Sequence, residues 1–99
     1  AGLPLPGFDN SAMDGYALRA DEINAAGAAG LRLAGEQFAG PSHGLVLGAG
    51  ECTRITTGAP MPAGADAVLI KEDAREDAGR VVAHVPVAPG AHVRRAGED

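Results

Sequence analysis

The chain has 99 residues and a net charge of −5, and this length suits one compact domain with its own core. Its 15 glycines, 7 prolines and aromatic content of only 3% leave Val, Leu, Ile and Ala to build that core. The acidic balance argues against nucleic acid or an anionic membrane as partner, and the single cysteine, Cys52, excludes an internal disulfide, so we expect a cytoplasmic protein.

Both ends of the sequence resemble cuts through a longer chain. The first residue is not Met, and the last three follow directly after a segment typical of a strand. We therefore expect residues 1–99 to be a single excised β-rich domain of a larger multidomain protein.

The first predicted elements are a loop that leads into a strand, followed by a short helix. Residues 8–18 crowd turn-forming side chains together and end in a short apolar run. Within 20–29, Asp21 and Glu22 lie where acidic side chains favour the start of a helix, and Gly27 and Gly30 can end it. No other segment predicts a helix.

Short apolar stretches separated by Gly or Pro follow, at spacings typical of β-strands. The predicted strands are 31–38, 50–56, 66–72, 79–87 and 91–95. Within 66–72, residues 67–70 are apolar on both faces, which is typical of a central, covered strand. In 79–87 only one face is apolar, and Pro86 indicates an edge strand. We expect a mainly β (α+β) fold: an irregular β-rich domain of short strands with one short helix.

Four oxygen-bearing side chains lie within six residues near the start of the chain, namely Asp9, Asn10, Ser11 and Asp14. Such a cluster can hold a magnesium ion or orient a proton transfer. A purely local interpretation competes with this one, because residues 11–14 match a capping box and Asp-Gly is a frequent turn dipeptide. Spacing alone favours the local interpretation.

Two further segments carry candidate anion-binding groups. Thr56 and Thr57 follow a predicted strand and precede a glycine, so hydroxyls and backbone N–H groups can cradle an oxyanion there. The segment lacks the lysine of a P-loop, and a plain turn is the simpler interpretation. Arg94 and Arg95 form the only basic pair, which suits phosphate-like oxyanions or merely meets surface carboxylates.

The remaining metal-binding residue types show no ligand pattern. His43, His84 and His92 are far apart and have no zinc-site spacing with one another or with Cys52, so we predict no zinc site. We interpret the histidines as surface or edge residues. Cys52 lies beside no base and is interpreted as a small apolar strand residue.

Four segments together resemble the molybdopterin molybdotransferase family, which includes the bacterial MoeA enzymes and the E domain of gephyrin. The segments are residues 8–17 (FDNSAMDGYA), 54–60 (RITTGAP), 64–68 (GADAV) and 93–99 (VRRAGED). The first is long and unusual enough to be specific, and the four occur in the family's order. The resemblance spans nearly the whole chain and concerns the family's second domain.

That resemblance implies an activity. Family members are homodimers in which this domain lies over the pterin-binding domain of the other subunit. They use molybdate, adenylylated molybdopterin and Mg²⁺ to produce molybdenum cofactor and AMP. Carried over by position, Asp14 and Thr57 are catalytic residues at the cleft, and Asp14 is also the metal ligand. We expect Ser11, Arg94 and Arg95 to bind the cofactor.

One consequence and two alternatives accompany this interpretation. The pterin-binding domain is absent from this sequence, so we expect the isolated domain to be inactive. A non-catalytic scaffold or protein-interaction module is the main alternative, because exposed β-edges can recruit partners. A free-standing phosphate or metal binder is a third class, which would require the chain alone to bind magnesium or molybdate.

Overall fold

The secondary structure is dominated by short strands. The computed structural model describes residues 9–37 and 46–95, and within these ranges one α-helix accompanies the strands, which confirms the mainly β prediction. The helix is α1, Ala20–Ala26. The strands are β1 Asn10–Ser11, β2 Gly15–Leu18, β3 Leu31–Gln37, β4 Glu51–Ile55, β5 Ala67–Ile70, β6 Ala74–Asp77, β7 Arg80–Ala83 and β8 Val93–Arg94. No helix in the described ranges is long and apolar enough to cross a membrane.

Two sheets organise these strands. The larger sheet has the order β5-β2-β4-β3-β7-β6, with β3 and β4 parallel and the other neighbours antiparallel. The register between β3 and β4 shifts between Leu33 and Gly35, which marks a bulge in β3. The smaller sheet pairs β1 with β8 and sets Asn10 opposite Arg94.

The core follows the alternation of side chains along the strands. On β2, Ala17 and Leu18 are both fully buried, yet they belong to separate apolar clusters because successive side chains point to opposite faces. Cys52 lies in the same cluster as Leu18 and is fully buried, which confirms its interpretation as an apolar strand residue. Burial raises the pKa of its thiol to about 12.

The predicted helix is confirmed, with its end resolved more finely. The α-helix stops at Gly27, whose φ of 54° takes the chain out of helical geometry, and residues 27–29 continue as a 3₁₀ turn. The first turn of α1 is anchored by Asp66, which accepts a hydrogen bond from the Ala20 N–H at 2.8 Å. The Asn24 side chain attaches α1 to the loop after β7 through two hydrogen bonds with the backbone of Val87.

The predicted central position of the strand within 66–72 is wrong, although its burial is confirmed. β5 is the outermost strand of the large sheet. Its outer edge is covered by a loop, since Val68 N–H donates to the Ala91 carbonyl at 2.8 Å and Gly90 N–H donates to the Asp66 carbonyl at 2.7 Å. The loop covers the open edge of β5, and the two apolar clusters bury its two faces, so its apolar sequence resembles that of a central strand.

The predicted edge strand at 79–87 is also corrected. β7 ends at Ala83 and lies between β3 and β6, so it is an interior strand, and Pro86 lies beyond it. The edge belongs to β6, which the sequence analysis did not predict because Arg75, Glu76 and Asp77 make it strongly polar. An edge strand tolerates such charges because solvent reaches its side chains.

Candidate functional site

The segment before β2 forms a bend rather than the start of a helix, so the capping-box interpretation is wrong. Ser11 is fully buried, and its hydroxyl donates to the Met13 carbonyl and accepts a hydrogen bond from the Met13 N–H at 3.3 Å. These short-range bonds account for the serine. They also fold the bend so that Asp14, at its end, is exposed to solvent.

Asp14 and Thr57 form a direct polar pair. Asp14 Oδ1 accepts hydrogen bonds from the Thr57 backbone N–H at 2.7 Å and from the Thr57 hydroxyl at 2.9 Å. The backbone bond, followed by the hydroxyl bond, lowers the pKa of the Asp14 carboxyl below its ordinary value, and the charge of Lys71 acts in the same direction. Asp14 is therefore ionised at neutral pH, and its second oxygen, Oδ2, lies outside both Thr57 bonds.

The sheet register explains why these two side chains meet. Gly15, the first residue of β2, lies opposite Ile55, the last residue of β4. The segment before Gly15 and the segment after Ile55 therefore lie side by side at the same end of the sheet. Gly15 is required at this position because a Cβ atom there would lie 2.1 Å from the Leu69 carbonyl oxygen of β5. The Asp14-Gly15 dipeptide thus combines an exposed carboxylate with a close approach between two strands.

An open cavity of about 350 Å³ lies beside the pair. It is lined by Asp14, Gly15, Tyr16, Glu36, Arg54, Ile55, Thr56, Lys71 and Glu76. The lining is mixed in charge, with three carboxylates and two cationic groups. The Lys71 backbone N–H donates to the Asp14 carbonyl at 3.2 Å, which keeps this residue next to the Asp14–Thr57 pair.

One wall of the cavity is a network centred on Arg54. Its Nε donates to Glu76 Oε1 at 3.0 Å, its Nη2 contacts Glu76 Oε2, and its Nη1 donates to Glu36 Oε1 at 2.9 Å. Tyr16 donates its hydroxyl proton to Glu76 Oε1 at 3.0 Å. The hydrogen bond from Arg54 lowers the pKa of Glu76, and burial together with the bond to Glu76 raises the pKa of Tyr16.

The other predicted site residues do not line this cavity. Arg94 is exposed on β8 opposite Asn10, and Arg95 Nη1 lies 3.7 Å from Asp9 Oδ2, as expected of a surface ion pair. Together with the buried Ser11, they do not line the cavity. A role of these three residues in cofactor binding stays a prediction.

The histidine predictions concern positions outside this site. His84 and His92 are exposed, in agreement with the expectation of surface residues, and His43 lies outside the described residues. In the described ranges, no group of three or more His, Cys, Asp or Glu side chains is arranged to hold a metal ion. Asp14 lies at the cavity, and its role as a magnesium ligand stays a prediction.

Four charged residues of the cavity lining are not among the site residues predicted from the sequence, namely Glu36, Arg54, Lys71 and Glu76. Arg54 carries a usable signal, because it is the exposed position in a strand whose neighbours Thr53 and Ile55 are buried. Glu76 carries none, since it lies in a charged run and is 60 residues from Tyr16 along the chain. Its part in the site follows from the curvature of the sheet.

Fold and site together define a class of protein domain: a curled, mainly β domain that presents a carboxylate–hydroxyl pair at the ends of two adjacent strands. The sequence model described as the MoeA N-terminal region, domains I and II, matches residues 1–99. The chain belongs to the MoeA family, in its N-terminal region.

Relatives and solved structures agree with this assignment. The chain is 42% identical over 102 residues to molybdopterin molybdenumtransferase 2 of Mycobacterium tuberculosis, covering 100% of this chain and 25% of that protein. It is 37% identical to molybdopterin molybdenumtransferase of Synechococcus elongatus, covering 96% and 25%. The crystal structure of a molybdopterin biosynthesis MoeA protein from Pyrococcus horikosii matches with a TM-score of 0.82 and 38% identity, covering 91% and 24%. The chain thus spans about a quarter of the length of these proteins.

Proposed function

We propose that this chain is part of a longer molybdopterin molybdenumtransferase, to whose active-site cleft it contributes Asp14 and Thr57. The enzyme inserts molybdenum from molybdate into adenylylated molybdopterin, giving molybdenum cofactor and AMP. Membership of the MoeA family and the names of the relatives support the activity. The Asp14–Thr57 contact is the observation that carries the assignment of the site, because it joins two of the family segments through an ionised carboxylate.

The charge of Asp14 restricts what it does in this reaction. A carboxylate with a lowered pKa is a poor proton donor at neutral pH, and it repels an oxyanion such as molybdate. Asp14 therefore orients water or a cation through Oδ2, while Oδ1 is held by Thr57. Lys71, beside the same cavity, supplies positive charge toward an anionic substrate.

Thr57 has a complementary role. Its hydroxyl proton is directed at Asp14, so the lone pairs of Oγ1 are free of that bond and face outward from an exposed residue. Rotation of the hydroxyl turns the same oxygen into a donor for a substrate oxyanion. The Thr57 hydroxyl can thus donate its hydrogen bond either to the Asp14 carboxylate or to the bound substrate.

Magnesium fits this proposal with a single ligand from the chain. Asp14 Oδ2, which takes part in neither Thr57 bond, is the oxygen that we assign to the ion, and the phosphates of the substrate are the natural source of further ligands. The chemistry that Mg²⁺ supplies when bound is neutralisation of charge on phosphate oxygens. On this proposal the complete enzyme is a cytoplasmic homodimer. The pterin-binding domain of the other subunit supplies the remaining parts of the cleft.

The role of Thr57 is tested by a matched pair of substitutions in the complete enzyme. Thr57→Ala removes the hydroxyl but keeps the backbone N–H that binds Asp14, and Thr57→Ser restores a hydroxyl. We expect Thr57→Ala to lower molybdate-dependent AMP release by roughly tenfold to a hundredfold, and Thr57→Ser to retain most of it. Equal activity of the two variants contradicts a catalytic hydroxyl and favours the scaffold alternative.

A further inference from the structure

Glu76 reaches across the large sheet to strands with which its own strand does not pair. It lies on β6, at one end of the strand order, while its partners Tyr16 and Arg54 lie on β2 and β4. Three to four strand positions separate these elements, so the sheet must curl to bring them together. Glu76 therefore joins the two sides of the curl through side chains rather than through the backbone ladder.

Both partners of Glu76 lie next to the Asp14–Thr57 pair. Tyr16 is two residues after Asp14 on β2, Arg54 is three residues before Thr57 on β4, and the two are direct cross-strand neighbours. Glu76 Oε1 accepts a hydrogen bond from each at 3.0 Å. One carboxylate thus clamps the two strand ends from which the polar pair extends.

The contact with Arg54 depends on the shape of the guanidinium group. Two of its nitrogens contact the two oxygens of Glu76, and the third is directed at Glu36. This bidentate arrangement fixes orientation as well as distance, which a lysine cannot reproduce. Exposed ion pairs add little to global stability, so the consequence of this one is local geometry.

We propose that Glu76 is a positioning residue for molybdenum transfer: through Arg54 and Tyr16 it aligns β2 and β4 so that Asp14 and Thr57 stay in register. This inference rests on the proposed function for its effect on turnover. Its structural part concerns the geometry of the Asp14–Thr57 contact, which is measurable without substrate. Glu76 itself contacts neither Asp14 nor Thr57 in the described hydrogen-bond network.

The first test reads the Thr57 amide by NMR in this chain. Glu76→Gln is compared with Glu51→Gln, a matched control that removes a carboxylate paired with Arg32 at the opposite end of β4. Asp14→Asn marks the signal of a Thr57 amide without its charged acceptor. We expect Glu76→Gln to shift the Thr57 amide proton toward the Asp14→Asn position and to speed its exchange by roughly tenfold. We expect Glu51→Gln to leave both unchanged.

The second test measures steady-state kinetics in the complete enzyme. A misaligned pair lowers kcat while binding of adenylylated molybdopterin is retained, so Glu76→Gln should lower kcat by about tenfold with little change in KM. Arg54→Lys should share this pattern because it keeps the charge and loses the bidentate geometry. Glu51→Gln should behave as the unmodified enzyme.

The two tests separate the possible failures. An unchanged Thr57 amide in Glu76→Gln overturns the positioning role, and so do equal effects of Glu76→Gln and Glu51→Gln, which indicate a general loss of stability. Suppose that Glu76→Gln displaces the Thr57 amide signal while Asp14→Asn releases AMP at the normal rate. This combination supports the structural role of Glu76 and refutes the proposed function on which its effect on turnover rests.

Discussion

Asp14 illustrates how a single turn residue acquires chemical character from a distant one. By spacing alone it is an ordinary member of an Asp-Gly turn, and in the structure it lies in a bend directly before β2. The contact that distinguishes it comes from Thr57, 43 residues away in sequence, which directs both a backbone N–H and a hydroxyl at Oδ1. The two bonds stabilise the charged form and keep Asp14 available as an anion.

The titration of Asp14 is the prediction that belongs to this scale. We expect the Thr57 amide proton shift to titrate with a midpoint below 3.8, the ordinary aspartate pKa, because both hydrogen bonds favour the carboxylate. The stability that Asp14 contributes is present above the pKa of the unfolded chain and is lost as the pH falls through the lower folded pKa. Asp14→Asn, in which this titration vanishes, is the control. A midpoint at or above 3.8 contradicts the hydrogen-bonded pair.

At the scale of elements, the hairpin of β6 and β7 carries Glu76 and closes through a two-residue turn. Ala78 and Gly79, between the paired residues Asp77 and Arg80, have φ values of 52° and 78°. Two positive φ values are typical of a type I′ turn, for which Asn-Gly is a preferred sequence. Alanine is therefore strained at the first turn position.

We expect Ala78→Asn to stabilise the chain by about 1 kcal/mol, because asparagine tolerates the left-handed conformation better than alanine. For a chain of this size the melting temperature should rise by roughly 4–8 °C. Ala88→Asn, at an exposed position without a positive φ, is the control and should bring no comparable gain. A melting temperature that stays level or falls in Ala78→Asn would show that the turn is not strained.

The elements that the sequence predicts well are those determined by neighbouring residues. Helix α1 follows from Asp21, Glu22 and Gly27, which lie within or next to it. β5 is an edge strand whose open edge is covered by a loop near Ala91, and sequence spacing does not reveal such a long-range contact. β6 is not predicted because its charged residues are typical of a solvated segment. Its strand geometry is stabilised by pairing with β7, which a local pattern does not show.

The candidate site shows the same division. Asp14 and Thr57 are identified through their family segments, and the structure adds their mutual contact. Ser11, Arg94 and Arg95 share those segments but do not line the cavity, since a segment contains residues that build the fold as well as residues that face the site. The charged wall of the cavity depends on curvature of the whole sheet, which no local pattern encodes.

At the scale of the whole molecule, the curled sheet places its polar pair at an open rim rather than inside an enclosed pocket. The chain spans about a quarter of its relatives' length, and in the described ranges no group of three or more His, Cys, Asp or Glu side chains is arranged to hold a metal ion. An open half-site of this kind agrees with the proposal that a domain of another subunit completes the cleft. It also explains why we expect the chain alone to show no turnover.

The most direct test of the central claim is molybdate-dependent AMP release from adenylylated molybdopterin by the complete enzyme and its Asp14→Asn variant. The exposed Asp21→Asn on α1 serves as a matched control, and melting curves confirm equal folding. We expect Asp14→Asn to lose a hundredfold or more in rate, about 2.7 kcal/mol of barrier, and Asp21→Asn to lose nothing. Unchanged AMP release in Asp14→Asn would contradict a catalytic role and make the first family segment purely architectural.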